Sequence, residues 1–156
     1  MKEFRRNNPM NLRYSERNNW EGQTEPTNGF CNFVSVEYGF RAAFITLRTY
    51  GQRGDNTIRK IVTRWAPPSE NPTYTYIRFV SLRMANLGYC DSGNWKDMAD
   101  TRIDMKNSEV IMDLMMFMTK FESGIHVQVK EIRNMLRRFG LVSCEDEPTG
   151  CVGVPK

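Results

Sequence analysis

The apolar positions of this chain fall into five stripes with helical spacing. Val36, Phe40, Ala43, Phe44 and Leu47 recur on one face of a first helix. Ser35 suits its N-cap, Glu37 suits the positive end, and Gly51 offers a left-handed stop. Ile58, Ile61, Val62 and Trp65 form a second, short stripe that starts near residues 55–57 and ends before Pro67 and Pro68. Asn71 reads as the cap of a third helix with Pro72 in its first turn, and Ile77, Val80, Met84 and Leu87 then repeat up to Gly88. Ser108 can cap a fourth helix bearing Ile111, Leu114, Met115, Met118 and Phe121 and ending at Gly124. Val129, Ile132, Met135, Leu136 and Phe139 mark a fifth, which ends at Gly140. The tight connection between these last two predicts an antiparallel hairpin.

The segments between the stripes complete the expected architecture. Residues 1–34 are rich in Asn, Arg, Gly and Pro, with isolated apolar positions, and read as an ordered but irregular basic arm with short extended pieces. Residues 88–107 read as a loop whose Trp95 and Met98 cover the core, with room for one short helical turn. The fold class is therefore mainly α: a single compact domain over 1–140, divided into the arm (1–34), a three-helix core (35–88) and a helical hairpin (108–140). A loosely held tail, 141–156, follows. With 156 residues, one core is expected, burying about two thirds of the surface that the unfolded chain exposes.

Charge changes this picture in one respect. The net charge of +4 is uneven, because residues 1–64 carry 11 basic and 6 acidic side chains (+5) and the remainder balances at −1. A basic half attracts nucleic acid, anionic lipid or anionic wall polymers, although scattered arginines also fit an ordinary solvated surface. No run of roughly 18 apolar residues and no apolar leader is present, so cytoplasmic synthesis without a signal peptide and no membrane partner are expected. Cys31, Cys90, Cys144 and Cys151 contain no CxxC pair and the chain has one histidine, His126, so neither a metal site nor a cofactor is expected. Cys144 and Cys151 read as free thiols, or as a short disulfide loop in an oxidising space.

Phosphate-binding, zincin and nucleophile-elbow motifs are all missing, which disfavours phosphoryl transfer, metal hydrolysis and serine chemistry. His126 lies in a helix connection and reads as an exposed turn residue. Carboxylate chemistry stays open, since it needs only an acid in an apolar setting that raises its pKa and a group that stabilises an oxocarbenium-like state. Glu37, beside Tyr38, and Glu70, close in sequence to Trp65, are the candidate acids; helix-dipole stabilisation and pairing with an arginine are their plainer readings. Arg6, Asn7, Asn8, Asn11, Arg13 and Trp20 in the arm can bind glycan, stack on single-stranded nucleic acid, or serve only to fold the arm's own loop.

Four blocks of residues carry a resemblance to known proteins. Arg6-Asn7-Asn8-Pro9-Met10-Asn11-Leu12-Arg13 resembles an RNNPGN[IL]R opening; Trp20-Glu21-Gly22 matches WxG; Phe30, Phe33, Gly39, Arg41 and Ala42 match FxxFxxxxxGxRA. Asn56-Thr57-Ile58 and the stretch from Arg64-Trp65-Ala66-Pro67-Pro68 to Ser69-Glu70-Asn71-Pro72-Thr73, followed by Tyr76-Ile77, match NTIxxIIxRWAPPSENxT. In this order the blocks resemble a phage and prophage family labelled virion structural protein, over about residues 5–80. More distantly they resemble wall-degrading glucosaminidases and transglycosylases of the lysozyme-like superfamily. The resemblance implies a lysozyme-like helical fold, virion association, and peptidoglycan or other virion proteins as partners; the basic arm leaves nucleic acid as a competing partner, and a non-catalytic virion assembly role also stays open. It also implies a substrate surface formed by the arm residues above with Tyr38, Arg41, Trp65, Asn71 and Tyr76. In the wall enzymes the acid stands on a helix upstream of the Asn-rich segment; here Glu3 has no such helix, which leaves Glu37 or Glu70 for the role. Met10 stands where the family has glycine, and a left-handed turn at that point would be strained. All of this requires the arm to fold back over the first helices, forming a cleft in which an acid meets aromatic and amide neighbours.

Overall fold

A computed structural model of the protein describes residues 3–143, and its architecture is mainly α. The arm opens with a single 3-10 turn, Arg5–Asn7, and continues into an antiparallel hairpin of β1, Gln23–Thr27, and β2, Phe30–Phe33. The helices are α1 (Val36–Gln52), α2 (Ile58–Trp65), α3 (Thr73–Asn86), α4 (Trp95–Asp100), α5 (Ser108–Ser123) and α6 (Val129–Arg138). Helix α1 packs on α5 and α6, α3 packs on α2, α4 and α5, and α5 packs on α6. One hydrophobic cluster runs through all of them and extends into the arm through Met10, Leu12, Cys31 and Phe33.

All five expected helices are present, with differences at their ends. Thr57 caps α2, accepting from Lys60 N, as its position predicts. Gly51 does not stop α1: it lies inside the helix, where a side chain would meet Met105 Cβ at 2.4 Å, and the left-handed residue is Gly54 (φ 91°). Pro72, not Asn71, occupies the cap position of α3, and the Asn71 amide instead donates to Pro67 O. Asn107 rather than Ser108 caps α5, and Leu87 ends up exposed beyond α3. The stop at Gly124 (φ 71°) is as expected. The short turn allowed in 88–107 is α4, capped by Asn94, with Met98 fully buried, so the described residues hold six α-helices rather than five. The expected tail lies, beyond Ser143 and including Cys144 and Cys151, outside the described residues. No helix among the described residues is long and apolar enough to cross a membrane.

The arm folds back over α1. A side chain at Gly39 would meet Asn7 O at 2.1 Å and Pro9 Cδ at 2.7 Å, so the chain crosses the helix in direct backbone contact. Gly22 likewise lies under the Tyr38 ring, whose atoms come within 2.3 Å of where its Cβ would be. Asn8, almost completely buried, ties the loop internally: its amide donates to Leu12 O and Cys31 O, and its Oδ1 accepts from Leu12 N. Trp65 donates its indole N–H to Met10 O at 2.9 Å, and Ser123 donates its hydroxyl to Pro9 O at 2.6 Å. Met10 is a fully buried core residue. The left-handed position falls one residue later, on Asn11 (φ 52°), where asparagine tolerates it, so the strain expected at Met10 does not arise.

Candidate functional site

The arm, the hairpin turn and the C-terminal end of α5 enclose a cavity of about 490 Å³. Its acid is Glu122, in the last turn of α5. Met118, four residues earlier, and Met115, seven earlier, are both fully buried, so helical periodicity carries Glu122 on the apolar side of the helix. The Asn11 amide donates to Glu122 Oε1 at 2.9 Å and lies 3.2 Å from Glu122 O, which clamps the arm to the helix end. Tyr76, fully buried on α3 and stacked on Phe121 with centroids 4.0 Å apart, brings its hydroxyl near Glu122 without a well-directed hydrogen bond.

Burial is the largest influence on the Glu122 carboxyl and raises its pKa above the ordinary glutamate value; the Asn11 amide, Tyr76 and the charge of Arg13 pull the other way. Glu122 therefore holds its proton to higher pH than a solvated glutamate, and its ionised form has neighbours that stabilise it once the proton has left. Arg6, Asn28 and Phe30 also line the cavity, with the exposed Glu3 at its rim. The Arg6 and Arg13 guanidiniums lie over the Phe30 ring, 5.0 and 4.9 Å from its centroid, and Arg6 Nε donates to Thr27 Oγ1 at 3.0 Å. Arg6 (φ 60°) is left-handed without being Gly or Asn, so the backbone beside this cavity is strained at that residue.

The residues singled out from the sequence are only partly gathered here. Arg6 and Asn11 line the Glu122 cavity. Arg13, Trp20 and Trp65 line a neighbouring cavity of about 280 Å³. Asn7 is committed to the fold, donating to Phe33 O at 2.9 Å, and Asn8 and Tyr76 are buried too completely to touch a ligand directly. Tyr38 packs on Phe139, while Arg41 pairs with Glu21 at 3.4 Å and lies over the same ring, so both are engaged where α1 meets the end of α6. Asn71 is used in the turn before α3.

Glu37 and Glu70 occupy different surroundings. Glu37 pairs with Arg138 at 3.3 Å in a separate cavity of about 400 Å³ that also holds Phe40 and the exposed His126. Glu70 pairs with Arg13 at 3.1 Å and is half exposed. The acid that fits the cleft, Glu122, was overlooked, although an acid continuing the Met115–Met118 stripe was a signal available in the sequence. Among the described residues no cluster of three or more His, Cys, Asp or Glu side chains is arranged to hold a metal ion. Cys31 is buried, and burial pushes its thiol up to about 11, so it is a core residue rather than a nucleophile.

Fold and cavity together define a class: a helical domain with an Asn-rich arm strapped over a partly buried acid. No family model matches the chain. Over 85 residues it is 40% identical to Protein P5 of Pseudoalteromonas phage PM2, an alignment covering 50% of this chain and 52% of that protein. The chain thus spans about half the length of the curated relative it matches. The expected likeness to phage proteins is met at that level.

Proposed function

We propose that this is a phage-type virion protein that binds bacterial wall glycan in the cavity beneath the arm and cleaves it with Glu122 as general acid. Its partners on this reading are peptidoglycan and other virion proteins. The observation that carries the reading is a carboxyl desolvated at a helix end, bridged by an arm amide, at a cavity large enough for sugar rings. In this mechanism protonated Glu122 gives its proton to the glycosidic oxygen as the bond to the anomeric carbon breaks. Asn11 and Arg13 stabilise the carboxylate that results. Water then adds its hydroxyl to the oxocarbenium-like carbon and returns its other proton to Glu122, which restores the acid. The Asn28 amide and the further N–H groups of the Arg6 guanidinium line the same cavity and can bond sugar hydroxyls.

Digestion of purified peptidoglycan tests this. The wild type is expected to release soluble muropeptides, Glu122→Gln to lose about 100-fold or more of that activity, and Glu37→Gln and Glu70→Gln to retain it. Release undiminished in a folded Glu122→Gln variant, or no release by the wild type, contradicts the proposal.

A further inference from the structure

The neighbouring 280 Å³ cavity has a one-sided chemistry. Arg13, Arg53 and Arg64 line it, no Asp or Glu does, and Trp20, Tyr50 and Trp65 supply its aromatic walls. Arg13 and Arg64 are paired with Glu70 at 3.1 Å and Asp55 at 2.6 Å, but neither carboxylate lines the cavity, and each five-donor guanidinium keeps further N–H groups free of that pair. Among the described residues Arg53 makes no ion pair. Burial raises the Tyr50 pKa, so its hydroxyl remains a neutral donor. Arg64 also lies over the Tyr50 ring at 5.7 Å, and Tyr50 meets Trp65 edge to face at 6.1 Å, which fixes the wall's geometry. Such a site takes an anion carried on a ring whose faces can rest on aromatic side chains.

Size and position narrow the ligand. The volume suits one ring rather than a length of polymer backbone. The two cavities adjoin, since the Arg13 guanidinium that lines this one lies 4.9 Å from the centroid of Phe30, which lines the Glu122 cavity. A glycan held over Glu122 would therefore place a neighbouring unit here.

Resting on the glycan reading above, we infer that this cavity is a subsite for the carboxylate-bearing sugar of the wall polymer, gripped by Arg13, Arg53 and Arg64. N-acetylmuramic acid and N-acetylglucosamine differ by one carboxylated ether substituent and isolate the claim. Titration of tryptophan fluorescence should show the acidic sugar binding about ten-fold or more tightly than the neutral one. The preference should fall at about 0.5 M salt and be lost in Arg53→Gln, whose exposed position beyond α1 leaves the core intact. Equal binding of the two sugars, a preference unchanged in Arg53→Gln, or tighter binding of thymidine monophosphate than of either sugar would overturn it. Binding is read without turnover, so the two claims separate. A surviving preference with no wall cleavage removes only the acid role of Glu122, and cleavage with no preference removes only the subsite.

Discussion

Glu122 shows how one residue's place on a helix sets its chemistry. The stripe that buries Met115 and Met118 also carries this carboxyl out of water, and the resulting rise in pKa has a sign that can be checked. Its folded-state value lies above its unfolded value. Below the unfolded value both states are protonated and stability is unaffected; as pH rises through the interval, the unfolded chain releases its proton first and the native state loses relative stability. Glu122→Gln keeps an oxygen that can accept from Asn11 and removes the titration. The variant should unfold at a higher temperature than wild type at neutral pH, with the advantage vanishing towards about pH 4, as thermal unfolding across pH would reveal. Gly39 makes the complementary point about backbone contact. With Asn7 O only 2.1 Å from where its Cβ would be, Gly39→Ala should cost about 1–3 kcal/mol or more in denaturant unfolding, since α1 or the arm must move.

At the level of elements, helices with a clean apolar period were legible, while ends set by tertiary contacts were not. Gly51 looks like a stop, and only the close approach of Met105 shows that its missing side chain serves packing instead. The arm's extended pieces were legible, but their pairing into a hairpin was not. Asn28-Gly29, with φ of 52° and 81°, is a two-residue turn of the type that joins antiparallel strands, but β1 is polar without alternation and β2 is only four residues long. Because Gly29 has open space around it, Gly29→Ala should cost only the left-handed penalty of about 1–2 kcal/mol, measurable by equilibrium unfolding. The hairpin also serves the cavity, presenting Asn28 and Phe30 to it while Tyr14 N donates to Gly29 O and Cys31 N to Leu12 O, which stitches the arm alongside.

At the scale of the whole molecule, the four sequence blocks converge. The Asn-rich opening crosses α1 at Gly39, WxG supports Tyr38, and Trp65 of the RWAPPSEN stretch holds Met10 O. A cleft beneath a folded-back arm was thus readable from the sequence, but its acid was not. Glu37 and Glu70 stand out in the sequence because each has an aromatic residue close by in the chain, whereas Glu122 comes from α5, 111 positions beyond the Asn11 that binds it. A contact that distant leaves no local trace, and only the periodicity of α5 hinted at it. On this reading the arm closes over Glu122 and partly removes its carboxyl from water. Carboxyl-carbon NMR titration of selectively labelled glutamate tests it most directly. A Glu122 midpoint above the ordinary glutamate value, moving further upward when Asn11→Ala removes the donor to its carboxylate, is the predicted result. A midpoint at or below that of a solvated glutamate would contradict the account.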